Sequence, residues 1–251
     1  MRRLLLIGIG AGAPELLTLE AIEAMRQVDV FLVIDKGDAK ADLAAFRRGI
    51  VDRFASQPHR VVEVLDRPRD EGASYEEGVA AWHAQRVSAL EGAMAASVGD
   101  GECAAILVWG DPSLYDSTIR LIEQLVARGT VELEWSVVAG ISSVALLAAR
   151  HRITLNRVGR SVHVTTGRLV REGVPAGLDD VVVLLDGDTA FTTLVGQGYD
   201  IFWGAYLGTS DEVLVSGALD EVAESIVQTR RDARQRLGWV FDTYLLRRRE
   251  A

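Results

Sequence analysis

The fold class is set by residues 4–19, which read LLLIGIGAGAPELLTL. The run at 4–9 is short and apolar, as in a buried strand, and a glycine-rich turn follows it at once. Residues 18–27 have the apolar spacing of a helix. A strand, a glycine turn and a helix in this order predict the first unit of an α/β fold, because parallel strands need crossover connections.

The same alternation continues along the first half of the chain. Short apolar runs predict strands, and longer helical patterns separate them: strands at 29–35, 61–65, 104–109 and 131–138, with helices at 75–98 and 117–127. The charge-rich stretch 36–53 is typical of an added surface helix. We therefore predict a parallel sheet covered by helices over residues 1–139.

The pattern changes after a predicted helix at 142–149. Shorter connections join the next predicted strands, and one helix follows them: strands at 161–166, 181–185, 201–205 and 212–217, and a helix at 220–230. The remainder reads as a tail that ends in three arginines at 247–249. These patterns predict two α/β domains, 1–139 and 140–251, the second with a mixed sheet, and an active-site cleft between them.

The composition argues against several classes of function. The formal net charge is −9, so no excess positive field attracts nucleic acid or an anionic membrane surface. No apolar stretch approaches the roughly 20 residues of a membrane span, and the apolar run after Met1 is too short for a signal peptide. Cys103 is the single cysteine, which excludes an internal disulfide and a metal site built on cysteines, and no metal is predicted. We expect a cytoplasmic protein with Cys103 in its core.

The turn at 8–13, GIGAGA, fits the loose dinucleotide-binding fingerprint with alanine in the third glycine position. Asp35, at the end of the second predicted strand, stands where a ribose-binding acid is expected. Pro14 and Glu15 argue against a pyrophosphate, because they read as the first turn of the helix and place a carboxylate at its positive end. The turn indicates close approach of the backbone to another group, and a purely structural turn stays open.

Four blocks of the chain resemble the tetrapyrrole (corrin/porphyrin) methylases and come in that family's order. They are residues 7–19 (IGIGAGAPELLTL), 109–115 (WGDPSLY), 139–143 (AGISS) and 204–212. One block alone is weak evidence, but four in order, spanning nearly the whole chain, are specific. Further segments resemble one corrin-ring subgroup of the family: Asp35-Lys36-Gly37, Arg69-Asp70, Trp82-His83 and 164–168 (VTTGR).

This resemblance implies a fold, a cofactor and a reaction. The fold is expected to be the two-domain class III methyltransferase fold, and the protein a homodimer. The expected cofactor is S-adenosylmethionine, a sulfonium cation without phosphate, which leaves as S-adenosylhomocysteine. The expected reaction moves its methyl group to C-1 of precorrin-5 and releases acetate, giving precorrin-6A in cobalamin (vitamin B12) biosynthesis.

Carried over position by position, the resemblance also implies cofactor contacts at strand ends. These positions are Ala11, Gly110, Asp111, Leu114, Ser142, Ser143, Asp186 and Gly208. The chain departs from the family's pattern at Ala11 and Ala13, where many members have proline and aspartate. It departs again at Asp186, where several members have methionine.

Some of these positions also have a structural interpretation. Asp111 followed by Pro112 is typical of a cap, either of the next helix or of a short turn before it. Ser142 and Ser143 are typical of a helix N-cap pair. A capping role does not exclude contact of the same backbone with a cofactor.

The deacylation step calls for a general base, whereas methyl transfer needs mainly positioning. The sequence offers no convincing Ser/His/Asp triad. Asp35 at a strand end is the first candidate for the base that activates water, and Tyr115 and His83 are the next. Each has a structural alternative: Asp35 as a turn cap, Tyr115 as a packing residue and His83 as a residue on a solvated helix face.

The implied substrate carries many carboxylates, which predicts a local cluster of basic side chains on an otherwise acidic protein. Lys36 and Arg168 are the predicted substrate contacts, because both follow predicted strand ends. Arg47, Arg48 and Arg53 are weaker candidates, since charged surface helices are common.

Three other functions stay open at this point. One is another corrin-ring or sirohaem C-methyltransferase of the same family. The second is a dinucleotide-binding oxidoreductase that uses the glycine turn, and the third is a tetrapyrrole carrier without catalysis. The choice of cofactor separates the oxidoreductase from the others, and turnover separates the carrier from an enzyme.

Overall fold

The computed structural model describes the chain in four segments: 1–35, 41–56, 58–65 and 75–249. The chain divides into two compact units, Met1–Ile141 and Ser142–Ala251. Strands and helices alternate in the first unit: β1 (Arg2–Gly8), α1 (Leu19–Met25), β2 (Val30–Asp35), α2 (Ala41–Phe54), β3 (Arg60–Leu65), α3 (Tyr75–Ser97), β4 (Cys103–Val108), α4 (Thr118–Arg128) and β5 (Leu133–Val138). The second unit continues with α5 (Ser143–His151), β6 (Val162–Thr166), α6 (Gly167–Glu172), β7 (Asp180–Leu184), β8 (Tyr199–Ala205), β9 (Val213–Ala218), α7 (Leu219–Leu237) and β10 (Asp242–Arg248).

Among the residues described, the sheet of the first unit has five parallel strands in the order β3-β2-β4-β1-β5. Its strand β4 is buried over its whole length, as a parallel strand covered on both faces must be. Ala104, Ile106 and Val108 join the apolar cluster of α3 and α4, whereas Ala105 and Leu107 join that of α1 and α2. Successive side chains of β4 point to opposite faces of the sheet, so α3 and α4 cover one face and α1 and α2 cover the other.

The connection after β1 differs from the prediction. Pro14–Leu16 forms a separate 3-10 turn, and α1 begins only at Leu19. Thr18 is the N-cap of α1, and its hydroxyl accepts a hydrogen bond from the amide of Ala21 at 3.0 Å. The prediction that Pro14 and Glu15 form the first turn of the helix was therefore wrong, because the capping threonine starts the helix later.

The sheet of the second unit is mixed, with the order β6-β7-β10-β8-β9 within the described part of the chain. The strands β6 and β7 are parallel, and the remaining neighbours are antiparallel. Helix α7 and a 3-10 turn at Ala190–Leu194 contribute to the apolar core around Trp203 and Tyr244. A parallel first sheet followed by a mixed second sheet confirms the predicted fold class.

The predicted tail was wrong, because it contains a long extension of α7 and an inner strand. Helix α7 continues to Leu237, and β10 lies between β7 and β8. The middle of β10 is fully buried, and Arg247 at its end is satisfied by the buried carboxylate of Asp180, 2.6 Å from its Nε. The arginines at the end of the chain gave the segment a polar character that concealed its apolar centre.

Cys103 is buried at the start of β4, as predicted. Burial raises the pKa of its thiol. None of the helices in the described segments is long and apolar enough to cross a membrane.

Candidate active site

In the first unit, β1, β4 and β5 end side by side at the carboxyl edge of the sheet. The glycines at these ends pack directly on one another. A Cβ on Gly140 would lie 2.1 Å from the carbonyl oxygen of Gly110, and one on Gly8 would lie 2.5 Å from the amide nitrogen of Gly140. Since Cβ atoms do not approach other atoms so closely, the protein's own backbone requires glycine at positions 8 and 140.

The turn after β1 is also bonded to the turn after β4. The amide of Gly110 donates to the carbonyl of Gly10 at 2.8 Å, and the amide of Gly10 donates back at 3.3 Å. Both glycines have left-handed backbone, with φ of +70° and +73°. Ala11, which follows in the chain, is buried. The glycine pattern is therefore used by the fold itself and does not by itself indicate a pyrophosphate.

Asp111 joins the turn after β4 to the segment after β5. Its Oδ2 accepts from the amide of Gly140 at 2.9 Å, and its Oδ1 accepts from the amide of Ser113 at 2.9 Å and from the Ser113 hydroxyl. Burial acts to raise the pKa of Asp111, but these hydrogen bonds outweigh it and hold the pKa below its ordinary value. Of the two predicted capping roles, Asp111 has the one in the short turn, while Asp116 accepts from the amide of Thr118 at 2.7 Å at the start of α4.

Tyr115 is exposed near this edge, with 42% of its surface accessible. Its φ of +51° is unusual for a residue other than glycine, and such conformations concentrate at functional sites. Leu114 is half-buried beside it, and its amide donates to the carbonyl of Asp111 at 3.2 Å. Asp35 is the last residue of β2, so its backbone lies at the carboxyl edge of the same sheet. The Asp35 side chain and all of Lys36 lie outside the described residues.

Two arginines lie near the carboxyl end of β4. Arg47 of α2 donates its Nε to the carbonyl of Leu107 at 3.2 Å, and burial lowers the pKa of its guanidinium against the opposing charge of Asp116. Arg86 of α3 is buried, and its Nη1 donates to the Ser117 hydroxyl at 3.1 Å. Both line a small cavity of about 30 Å³ together with Asp116. Within the described part of the first unit, a buried and a half-buried arginine thus lie together near the end of β4.

Arg86 was missed by the sequence analysis, although His83 on the same helix was not. Burial, followed by the charges of Arg86 and Arg120, lowers the pKa of His83. The Arg86 guanidinium lies 4.4 Å from the ring centre of Trp82. An aromatic and a basic residue at i and i+4 were the signal in the sequence that could have identified Arg86.

Arg48 and Arg53 form exposed ion pairs on the surface of the first unit. Arg48 lies 3.3 Å from Glu63, and Arg53 lies 3.8 Å from Glu15. Exposed pairs of this kind contribute little to stability. Their placement favours the surface-helix interpretation for these two residues. Arg47 is therefore the strongest of the three as a candidate for contact with the substrate's carboxylates.

In the second unit, β6, β7 and β8 end at one edge of the sheet, where β10 begins. Ser142 is the N-cap of α5, and its hydroxyl accepts from the amide of Ala145 at 3.2 Å. Ser143 is the first helical residue, and its hydroxyl accepts from the Thr243 hydroxyl at 3.1 Å. Since Thr243 follows the first residue of β10, both serines lie at this edge.

Gly208 and Arg168 follow strands that end at the same edge of the second sheet. Gly208 has a φ of +80°, and its amide donates to the Glu212 carboxylate at 2.7 Å. Arg168 lies in the first turn of α6, with 74% of its side chain exposed, and it pairs with Glu172 at 3.4 Å. An exposed guanidinium at a strand end is available to an anionic group of a ligand.

Asp186, which follows β7, is engaged with the protein itself. Its Oδ1 accepts from the amide of Asp188 at 3.1 Å, and its Oδ2 accepts from the amide of Ala190 at 2.7 Å and the hydroxyl of Tyr244 at 2.8 Å. A Cβ on Gly167 would lie 2.6 Å from the Asp186 side chain. The carboxylate is therefore buried, and a cofactor contact at Asp186 is left to the main chain.

The predicted positions thus form two groups, one at an edge of each sheet. The first unit brings together Ala11, Gly110, Asp111, Leu114 and Tyr115, with the backbone of Asp35 at the same edge. The second unit brings together Ser142, Ser143, Arg168, Asp186 and Gly208. Ligands of α/β sheets bind at the carboxyl ends of their strands.

The first group suits a cation better than a pyrophosphate. Helix α1 begins well after Gly12, so the N-terminus that would receive phosphate does not follow the glycine turn. Asp111, which follows Gly110, places a carboxylate near this turn, and its depressed pKa keeps that group ionised at neutral pH. Tyr115 adds an exposed apolar ring. Backbone groups, a carboxylate and an apolar surface are the groups expected to hold a sulfonium cation with an adenosyl group.

Comparisons with known proteins agree on one family. The family model described as Tetrapyrrole (Corrin/Porphyrin) Methylases matches residues 3–223. A precorrin-6A synthase [deacetylating] from Sinorhizobium sp is 45% identical over 250 residues, which cover 99% of this chain and 96% of that protein. A precorrin-2 C(20)-methyltransferase from Sinorhizobium sp is 30% identical over 144 residues, or 57% of this chain and 55% of that protein.

Solved structures give the same result for the fold. The structure of CobF from Corynebacterium diphtheriae, described as cobalamin synthesis related, has a TM-score of 0.87 and 38% identity, with all of both chains covered. A uroporphyrin-III C-methyl transferase from Thermus thermophilus, complexed with S-adenyl homocysteine, has a TM-score of 0.59 and 23% identity, covering 97% of this chain and 91% of that one. At that identity the second match supports the fold alone.

Proposed function

This chain belongs to the tetrapyrrole (corrin/porphyrin) methylases, and we propose that it transfers a methyl group from S-adenosylmethionine to C-1 of precorrin-5, with release of acetate. The product is precorrin-6A, in cobalamin biosynthesis. The observation that carries the choice of reaction is the 45% identity to a precorrin-6A synthase over 99% of the chain. The C(20)-methyltransferase relative matches little more than half of the chain, 57%.

The positions that we propose as cofactor contacts fall in both units. In the first unit these are Ala11, Gly110, Asp111 and Leu114. In the second unit they are Ser142, Ser143, Gly208 and the main chain at Asp186. When bound, S-adenosylmethionine supplies a methyl group on a sulfonium, which is a good leaving group. The chain's own contribution is to orient the ring carbon towards that methyl group, and positioning of this kind is worth about 7–11 kcal/mol in favourable cases.

A second task for the protein is removal of the acetyl group. Water attacks the acetyl carbon and gives up its protons, one of them to the base, while the bond from that carbon to the ring breaks and acetate leaves. The electron pair of the broken bond stays on the ring carbon, where it can form the new bond to the methyl group. We assign the role of general base to Asp35, because it ends β2 at the carboxyl edge. Tyr115, exposed near the same edge, is the alternative.

Recognition of the substrate's carboxylates falls to basic residues near these strand ends. Arg168 is exposed beside the end of β6, and Lys36 follows β2 in the sequence. Arg47 is a further candidate, since its guanidinium lies at the end of β4. The forked donors of arginine match a carboxylate in a bidentate manner.

The first test is calorimetric titration with S-adenosylhomocysteine, with NAD and NADP in parallel. We expect S-adenosylhomocysteine alone to bind, with a Kd of about 1 μM or lower, equivalent to about −8 kcal/mol. Binding of a dinucleotide instead contradicts the proposal. An assay with precorrin-5 then measures acetate, and we expect one acetate per methyl group transferred.

Ser142 offers a test of the second group. Ser142→Trp is expected to abolish binding of S-adenosylhomocysteine while the protein stays folded, because the indole fills the cofactor site. Ser142→Gly is the matched control, since glycine at an N-cap costs only about a few tenths of a kcal/mol. If Ser142→Trp binds as tightly as Ser142→Gly, Ser142 does not belong to the site.

Methylation at another ring position is the second candidate function. It is favoured by the 30% identity to the precorrin-2 C(20)-methyltransferase. Methyl transfer to precorrin-2 without acetate release supports it over the first candidate.

We also propose a cytoplasmic homodimer, on the basis of the family resemblance. In size-exclusion chromatography with light scattering, a dimer has twice the chain mass of 27.3 kDa. A mass equal to one chain contradicts this proposal. For the location, fractionation of the source cells is expected to recover the protein with cytoplasmic markers.

A further inference from the structure

The segment after β7 is held in an unusual conformation. Leu185 and Thr189 both have left-handed backbone, with φ of +52° and +56°, although neither is glycine. Such conformations are costly for residues with a Cβ and persist where the surroundings fix them. Leu185 is also 63% exposed, at the sheet edge where the proposed cofactor contacts of the second unit lie. The segment therefore presents an apolar side chain outward from a strained backbone.

Arg230 of α7 holds the middle of this segment. Its Nη1 donates to the carbonyl oxygen of Gly187 at 3.2 Å, and its Nη2 donates to the carbonyl oxygen of Asp186. Its Nε donates to Oδ2 of Asp242 at 2.9 Å. One planar group thus spans two successive carbonyl groups and a carboxylate. The single nitrogen of a lysine does not reach all three at once.

Asp242 fixes the orientation of the Arg230 guanidinium. The Asp242 side chain is almost completely buried, and its Oδ2 also accepts from Nε1 of Trp203 at 2.9 Å. Burial raises the pKa of Asp242, and the charge of Arg230 and the hydrogen bond from Trp203 oppose that effect. A buried carboxylate of this kind needs its cation, so Arg230 is tied to the first residue of β10.

The opposite side of the segment is held independently of Arg230. The Asp186 carboxylate accepts from the Tyr244 hydroxyl and from the amide of Ala190, inside the core. The side chain of Asp186 therefore anchors the segment inward, while Arg230 determines where its carbonyl groups point. The two anchors leave Leu185 outside.

We propose that Arg230 is a positioning residue of the cofactor site. By holding the carbonyl groups of Asp186 and Gly187, it keeps Leu185 exposed in its left-handed conformation for contact with the cofactor. This inference rests on the proposed function, because it takes the segment 185–189 as part of the S-adenosylmethionine site. Arg230 does not itself need to touch the cofactor. Its replacement is expected to weaken cofactor binding and to leave tetrapyrrole binding unchanged.

The test compares Arg230→Lys with Arg231→Lys, the same change at the next position of α7. Arg231 is exposed and donates to the Gln228 side chain at 3.2 Å, so it is a matched control. We expect Arg230→Lys to raise the Kd for S-adenosylhomocysteine about tenfold, the effect of losing about one net hydrogen bond. We expect the Kd of Arg231→Lys for S-adenosylhomocysteine to stay within about twofold of the wild-type value, which is less than the effect of losing one hydrogen bond. In turnover, the KM for S-adenosylmethionine should rise in Arg230→Lys while the KM for precorrin-5 does not.

The outcomes separate this inference from the proposed function. If the wild type fails to bind S-adenosylhomocysteine, the proposed function is wrong. If the wild type binds and Arg230→Lys binds equally well, with a lower melting temperature, Arg230 is purely structural and the inference is overturned. If Arg230→Lys does not fold, Arg230→Gln combined with Asp242→Asn replaces it, since this pair leaves no lone buried charge. The same tenfold loss supports the inference, and wild-type affinity overturns it.

Discussion

Replacing Gly140 by alanine tests the strand ends of the first unit directly. The new Cβ would lie 2.1 Å from the carbonyl oxygen of Gly110 and 2.8 Å from the carbonyl carbon and Cα of Gly8. Carbon–oxygen contacts lie at about 3.3–3.6 Å even when they are attractive. The carbonyl oxygen of Gly110 must therefore move away from residue 140 by about 1.2–1.5 Å, which is the difference between these distances, and the end of β1 must move as well.

The expected cost of Gly140→Ala follows from what surrounds it. Overpacking a well-packed core costs about 1–3 kcal/mol and occasionally more. Here the nearest neighbours are all main-chain atoms, and rotation of a side chain cannot relieve the contacts. The hydrogen bond from the Gly140 amide to Asp111 resists the displacement as well. We expect a loss of about 3 kcal/mol in the free energy of unfolding, or about 6–12 °C in Tm for a chain of this size.

The assay is urea unfolding followed by circular dichroism, with Gly92→Ala as the control. Gly92 lies within α3, and a Cβ there would meet nothing within 4 Å. Alanine in a helix interior is more stable than glycine by about 0.5–1 kcal/mol, so the control is expected to gain stability. If Gly140→Ala stays within about 0.5 kcal/mol of the wild type with an unchanged m-value, the close approach of these strand ends is refuted.

Three further predictions concern charges and buried polar groups. The folded-state pKa of Asp111 is depressed, so its stabilisation is present above the unfolded pKa of about 3.9 and is lost as the pH falls through the folded pKa. In urea unfolding from pH 7 to pH 2, Asp111→Asn is therefore expected to be less stable than the wild type at pH 7, with a gap that shrinks below about pH 4. Tyr244→Phe removes a buried donor to Asp186 and is expected to cost about 1–3 kcal/mol in the same assay. Arg168→Ala is expected to change stability by less than about 0.5 kcal/mol, because its pair with Glu172 is exposed. The same change should raise the KM for the tetrapyrrole, and an unchanged KM argues against substrate contact by Arg168.

The first sheet could be predicted chiefly from its central strand β4, which is buried on both faces. The buried run Cys103–Val108 is continuous in the sequence and hence visible without tertiary information. The last strand has no such run, because Asp242 and two arginines flank a buried centre of four residues. Its Arg247 pairs with Asp180 of β7 and its Asp242 pairs with Arg230 of α7, and such pairing between elements is not encoded in a local pattern.

The difference between local patterns and contacts between distant elements applies to the candidate site as well. The positions after β1 and β4 could be predicted because glycines and the Asp111-Pro112 pair are local signals that resemble a family. The role of Arg230 could not, since this arginine lies in α7 and its guanidinium reaches a turn far away in the chain. Asp186 shows why a family resemblance at one position does not establish what the side chain does. Its carboxylate accepts hydrogen bonds from the Tyr244 hydroxyl and from the amide of Ala190 in the next turn.

The glycine fingerprint illustrates how a local pattern can be satisfied without its usual ligand. Gly8 is explained by contact with Gly140, and Gly10 by its bonds to Gly110, whatever cofactor binds nearby. What distinguishes a pyrophosphate site is a helix N-terminus directly behind the glycines, because its free amides and dipole attract the anion. Here the Pro14–Leu16 turn intervenes, and the Thr18 hydroxyl already accepts from the Ala21 amide in the first turn of α1. In the sequence, Glu15 argues against a dinucleotide; in the structure, the late start of α1 leaves no α-helix N-terminus directly behind the glycines.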